Sequence, residues 1–249
     1  GSEKYPGAPA LSALGALRTG AGVVTLISLQ RVCFACASRL PEVVYCSEDD
    51  RFRWMEIALA YKNINALVIG PGLDRTVAAE VFTSRMWRDW PEKILVDGDG
   101  LNALAMSKDN LMPRSDSVLT PHEGEAARLL GVTPADVRAD RPGAVRELSE
   151  RWGCVVLKGH KTLIASGEKF AEINYGGPEL SVPGSGDVLS GCIGAFLANG
   201  LNAFDAAVLG ASVHGMAGDL LAKTGIDGVL ASDIAHTLRK IIHELRMSK

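Results

Sequence analysis

Apolar residues recur along this chain in two rhythms, and the two alternate. Short, almost unbroken apolar runs at 23–28, 66–69, 93–96, 117–119 and 154–157 read as strands covered on both faces. Between several of them the apolar positions return at helical spacing. Helices are expected over 11–17, 76–88 and 126–130, with another beginning near Leu101. Gly20-Ala21-Gly22 and Gly131 supply stops. The segments 163–166 and 170–175 flank Gly167-Glu168-Lys169 and predict a hairpin. Val188, Leu189, Cys192, Ile193, Phe196 and Leu197 mark one face of a helix that halts at Gly200. The stretch 203–223 is apolar on nearly every side and should be buried, and 232–247 is an amphipathic helix with a basic end.

Alternating strands and helices predict an α/β fold with a largely parallel sheet and helices on both faces. No linker, repeat or low-complexity stretch divides it, so residues 1–249 are expected to form one domain. Ligands of such sheets sit outside the carboxyl ends of the strands. The polar or glycine-rich clusters lie at those ends: 70–72, 97–102, 120–125 and 158–162. With the turn at 184–187 they should converge on one crevice.

That turn, Pro183-Gly184-Ser185-Gly186-Asp187, runs straight into a helix. Its glycines allow close backbone approach, and the unpaired first-turn N–H groups can hold an anion. A carboxylate beside an anion serves poorly as a ligand and better as a general base, or through a metal. Asp187 is the candidate. Thr120-Pro121-His122-Glu123 reads as a capping box with proline at the first helical position, placing His122, Glu123 and Glu125 in or beside a first turn. Glu125 is a candidate for Mg²⁺ through water, and Lys158, closing a strand before Gly159, for phosphate. Asp97, Asp99 and Asn102 fit either loop caps or a metal and substrate site. His214 sits in the buried helix as a core residue rather than a ligand. Gly20-x-Gly22 lacks a third glycine and follows a helix, which excludes a dinucleotide fingerprint. Cys33-x-x-Cys36 has no second pair or nearby histidine, so no metal is expected there.

Composition narrows the function further. The formal charge is −3 and no basic block interleaves with aromatics, which leaves nucleic acid without a footprint. There is no apolar run of 18 residues, and no membrane role is expected. The odd count of five cysteines suits reduced thiols and a cytoplasmic protein.

Taken together, the motifs resemble the ADP/ATP-dependent NAD(P)H-hydrate dehydratases of the ribokinase-like superfamily. The resemblance rests on residues 5–8, Arg18-Thr19-Gly20-Ala21-Gly22, Ile69-Gly70-Pro71-Gly72-Leu73, Val96-Asp97-Gly98-Asp99-Gly100-Leu101-Asn102, Leu119-Thr120-Pro121-His122-Glu123-Gly124-Glu125, Val156-Leu157-Lys158-Gly159-His160-Lys161-Thr162 and the 183–187 turn. It implies that Ala8, Gly72, His122 and Asp187 line the hydrated dinucleotide, NADHX or NADPHX. It implies that Lys158, Gly159, His160, Lys161, Thr162, Gly184, Ser185 and Gly186 hold ADP or ATP, with Mg²⁺, and that Asp187 is the base. It further implies a homo-oligomer, a tetramer, and a separate NAD(P)HX epimerase as functional partner. The family usually has a strand upstream of Gly1-Ser2, so the first strand of the sheet is expected to be missing here. His160-Lys161 stands where the family usually has small residues. A vitamin-precursor kinase of the same superfamily, and a non-catalytic nucleotide-binding protein, are the alternative readings.

Overall fold

The computed structural model describes residues 1–107 and 111–248. In chain order its elements are α1 (Ala8–Thr19), β1 (Thr25–Ser28), α2 (Gln30–Ala37), β2 (Val44–Ser47), α3 (Trp54–Ala60), β3 (Ala66–Ile69), α4 (Val77–Asp89), β4 (Lys93–Val96), α5 (Asp99–Ser107) and β5 (Ser117–Leu119). They continue as α6 (Glu123–Leu130), α7 (Pro134–Ala139), α8 (Arg141–Trp152), β6 (Cys154–Leu157), β7 (Thr162–Ser166), β8 (Lys169–Ile173), α9 (Ser185–Ala198), α10 (Ala203–Ala222) and α11 (Ala231–Met247).

The main sheet has the order β3-β4-β5-β6-β7-β8. Its first four strands are parallel, and β7 and β8 fold back antiparallel. Every residue of β5 and β6 is buried, as their unbroken apolar runs require. One face, through Ile94, Val96, Leu119 and Val155, packs against α3, α4, α5, α6 and α8. The other, through Leu95, Val118, Cys154 and Val156, packs against α9, α10 and α11. The α9 and α10 sequences are apolar nearly all round because sheet and helices enclose them on several sides.

The expectation for 23–28 needs correcting. β1 is shorter, pairs only with β2 in a separate two-stranded sheet, and is only half-buried. Between β1 and β3 lies a cavity of about 610 Å³, lined by residues of both strands. Trp54, Ala58, Phe82 and Met86 wall it, together with Ser12, Ala13, Gly191, Gly194 and Ala195 of α1 and α9. It touches the crevice described below only at Ile69, Gly70 and Pro71. Continuous apolarity in 23–28 thus reflects this flanking position rather than a place inside the main sheet.

α1 and α9 meet almost backbone to backbone. A methyl group on Gly191 would collide with the Ser12 carbonyl oxygen, and one on Gly15 with that of Val188. The Ser12 and Ser190 hydroxyls lie 3.2 Å apart in the same interface. Such contact locks the first two turns of α9 to the middle of α1.

Gly191→Ala should therefore lower stability despite the gain of about 1 kcal/mol in helix propensity. Overpacking against main chain costs about 1–3 kcal/mol or more. A thermal melt should show the transition falling by several degrees; an unchanged or raised melting temperature would contradict the close-contact account.

Candidate functional site

The carboxyl ends of β3, β4, β5 and β6 stand side by side, so the four polar clusters that follow them do as well. Gly70 and Asp97 are in main-chain contact, and Asp97 N–H donates to the Ile69 carbonyl at 2.9 Å. Gly70 has φ +118, and any side chain there would strike the Asp97 carbonyl. The next turn brings Gly72 to α1: a Cβ on Gly72 would lie 2.5 Å from the Tyr5 carbonyl oxygen and 3.0 Å from Ala8 Cβ. Ala8 and Gly72 are thus neighbours.

At the centre is a charge cluster. Lys158 Nζ lies 2.8 Å from Asp97 Oδ1 and 3.8 Å from Glu125 Oε2, with Asp97 only 2% exposed. These carboxylates hold the Lys158 ammonium above its ordinary pKa although burial pulls the other way. A Cβ on Gly186 would lie 3.3 Å from Lys158 Nζ and 4.0 Å from Asp97 Oδ2. The 184–187 turn therefore faces the cluster directly.

α9 begins at Ser185, with Gly184 as a left-handed N-cap at φ 90 and Asp187 in the first turn. Burial raises the Asp187 carboxyl to about 7, reinforced by Asp97 and opposed by Lys158. His214 of α10 braces this turn from behind. Its Nε2 is 3.1 Å from the Ser185 carbonyl oxygen and 3.3 Å from Ser185 Oγ. A carbonyl only accepts, so Nε2 carries the proton; burial lowers the imidazole to about 4 and keeps it neutral.

The start of α6 differs from the expected capping box. The N-cap is His122, not Thr120: Nδ1 accepts from Gly124 N–H at 3.0 Å and Glu125 N–H at 3.3 Å. Glu125 Oε2 accepts the His122 N–H at 2.9 Å in return. The cause is strand pairing. Thr120 N–H donates to Val96 O at 3.2 Å, and Lys158 N–H to Pro121 O at 2.8 Å, so residues 120 and 121 are still held as extended chain. With Nδ1 accepting, His122 presents Nε2–H, 3.4 Å from Glu125 Oε1. Burial and then Lys158 lower its pKa, keeping it neutral, while burial raises that of Glu125.

The 158–162 segment is the turn between antiparallel β6 and β7. Thr162 Oγ1 donates to the Gly159 carbonyl at 3.1 Å. Lys161, at φ 54, sends Nζ to Glu172 of β8 at 3.4 Å and so points away from the Lys158 cluster. Asp99 receives the Asp74 N–H at 2.8 Å and an ion pair from Arg75 at 3.5 Å. Asn102 Oδ1 and Thr120 Oγ1 are buried at the crevice floor without a hydrogen-bond partner. The bracing by His214 had no local sequence signal, because the residue and its acceptor are 29 positions apart.

Comparison with known proteins agrees with this architecture. The model of the NAD(P)H-hydrate dehydratase family matches residues 1–240. The chain is 40% identical over 248 residues to a bifunctional NAD(P)H-hydrate repair enzyme of Thermanaerovibrio acidaminovorans, covering 95% of the chain but 48% of that protein. It therefore spans about half the length of such bifunctional relatives. It is 38% identical to an ADP-dependent (S)-NAD(P)H-hydrate dehydratase of Neisseria meningitidis, covering 100% of the chain and 84% of that relative. A crystal structure of ADP/ATP-dependent NAD(P)H-hydrate dehydratase from Bacillus subtilis, co-crystallized with ATP and Mg²⁺ and soaked with CoA, superposes with a TM-score of 0.85 at 25% identity, over 98% of the chain and 89% of that structure. The fold is ribokinase-like, and the chain belongs to the NAD(P)H-hydrate dehydratase family.

Proposed function

We propose that this chain uses ADP or ATP to dehydrate NADHX and NADPHX back to NADH and NADPH. The observation that carries the reading is Asp187. It is a carboxyl held near neutral pKa in the first turn of α9, facing the buried Lys158–Asp97 pair. Family membership supplies the substrate class, and the names of the Neisseria and Bacillus relatives supply the nucleotide.

Hydroxide leaves poorly at neutral pH, so the ring hydroxyl must first become a phosphate ester. Asp187 takes the hydroxyl proton as the ring hydroxyl oxygen attacks the terminal phosphorus; the bridging P–O bond breaks and AMP leaves from ADP, or ADP from ATP. The α9 first-turn N–H groups and Lys158 stabilise the charge on the transferring phosphoryl group. Phosphate then departs from the ring carbon, a proton is lost from the adjacent carbon, and the conjugated dihydronicotinamide is restored. Ala8, Gly72 and the Nε2–H of His122 line the dinucleotide side. Lys158, Gly159, His160, Lys161, Thr162, Gly184, Ser185 and Gly186 line the nucleotide side.

Mg²⁺ fits this crevice as an ion carried by the nucleotide. Among the described residues no three His, Cys, Asp or Glu side chains gather into a cage. Mg²⁺ is usually bound through one or two carboxylates plus phosphate oxygens and water. Glu125 would reach it through water, and the ion would offset phosphate charge. We place the enzyme in the cytoplasm as a homo-oligomer, a tetramer, working together with an NAD(P)HX epimerase.

Incubation with NADHX and ADP or ATP should restore the dihydronicotinamide absorbance; no recovery with either nucleotide rules the dehydratase out and leaves a kinase or a binding protein. Asp187→Asn should cut kcat by at least about 10²-fold while ADP affinity stays within a few-fold. Because the base acts unprotonated, kcat/KM should climb with pH through about 7 and then level off. Stability moves the opposite way. The folded pKa exceeds the ordinary 3.8, so the folded state binds the proton more tightly; stability is full below about 4 and is lost as pH rises through about 7. Asp187→Asn should thus melt above the parent protein at about pH 8 and lose that advantage near pH 4; equal melting at both pH values would show that the carboxyl is not strained. Gly186→Val should raise the ADP Kd by roughly tenfold or more by pressing on Lys158, as calorimetry would show.

A further inference from the structure

One guanidinium holds the 158–161 turn from beneath. Arg141 is the first residue of α8, and its backbone is fixed by Asp140, whose Oδ1 accepts the Gly143 N–H at 2.8 Å. Its side chain is only 19% exposed and spreads across three carbonyl oxygens. NH1 donates to His160 O at 2.5 Å, and NH2 donates to Leu157 O at 3.3 Å and Lys158 O at 3.4 Å. Nε lies 3.6 Å from Glu123 Oε1, and Arg138 holds the other Glu123 oxygen at 3.4 Å. Glu123 opens α6, directly after His122. The same side chain therefore ties the β6–β7 turn to the helix start that carries His122 and Glu125.

The consequence lies in peptide geometry. In a trans peptide unit the carbonyl of one residue and the N–H of the next point in opposite directions. The described residues contain no cis bond. Drawing the Lys158 and His160 carbonyls onto Arg141 turns the Gly159 and Lys161 N–H groups away from it. Among the described residues, neither N–H makes a turn, loop or side-chain hydrogen bond. They form a pair of aligned, unspent donors beside Lys158. A cation beneath the turn also polarises those peptide units and strengthens the outward donors.

We propose that Arg141 is a positioning residue that sets these two backbone N–H groups as the recognition element for the phosphate-bearing nucleotide. This rests on the nucleotide role proposed above for the 158–162 turn. Specificity at this turn then comes from main-chain donors aimed by a half-buried guanidinium. The side chains of His160 and Lys161 can depart from small residues because the recognition does not pass through them. Lysine cannot replace Arg141, since an ammonium lacks the planar fork that spans separate carbonyls.

The test compares the parent protein with Arg141→Gln and Arg141→Lys. Calorimetry should show the ADP Kd rising roughly ten- to hundredfold in both variants, the loss expected for hydrogen bonds involving a charged group. The KM for NADHX should stay within about twofold, and hydrogen exchange should speed up at the ladder amides of β6 and β7 that flank the turn. Unchanged ADP affinity in Arg141→Gln overturns the proposal. So does parent-like binding in Arg141→Lys, which would show that charge alone suffices. Failure of both variants to melt cooperatively also overturns it, by assigning Arg141 to folding. Should the parent protein bind no ADP, the nucleotide reading of the turn fails instead. Exchange in the flanking β6–β7 ladder still reports on the bracing in that case.

Discussion

The crevice depends on a single buried ion pair, Lys158 to Asp97. Both side chains sit at carboxyl ends of strands, where the sheet offers little water to screen them. A buried pair of this kind seldom adds much stability, yet removing one member is costly because the other is left charged and unpaired. Here the pair has more dependants than itself. Glu125 leans on the same ammonium, and Asp187 is held near neutrality by a balance between its burial and Asp97 on one side and Lys158 on the other. Burial raises both Glu125 and Asp187, and the one lysine opposes it at each. Burial, reinforced by Asp97, brings the Asp187 carboxyl up to about 7 against the pull of Lys158.

A second constraint delivers the turn to that charge. The absence of side chains at Gly15 and Gly191 lets α1 and α9 approach at main-chain distance, and His214 fixes the first peptide of α9 from the opposite side. The donors at the helix start are accordingly held in place before any ligand arrives. Such preorganisation is where most electrostatic stabilisation in phosphoryl transfer originates.

The architecture could be read from the residues where local chemistry and tertiary position agreed. The runs at 93–96, 117–119 and 154–157 are buried on both faces, so apolarity alone marked them, while 66–69 lies half-buried beside the cavity. Topology then dictated that the polar clusters behind them meet. Reading failed where a tertiary partner decided the outcome. Thr120-Pro121 has the chemistry of a helix start, but neighbouring strands claim its backbone and move the cap to His122. Helices α2, α3, α7 and α8 were not expected; three of them are no longer than eight residues, and α8 is sparsely apolar, carrying five charged side chains among twelve residues. Within the site, Lys158 and Asp187 stand in recognisable turns. Arg141 stands in an ordinary polar helix, and its work lies in three carbonyls 16 to 19 residues away.

The antiparallel return of β7 has a mechanical consequence. Loops that follow a parallel strand lead into a helix and can swing with it, whereas the 158–161 turn has both stems in the ladder of one sheet. The opposite wall, at the head of α9, is clamped between α1 and α10. Both walls are thus braced by elements on either side of them, and the donors they carry keep a separation set by the fold.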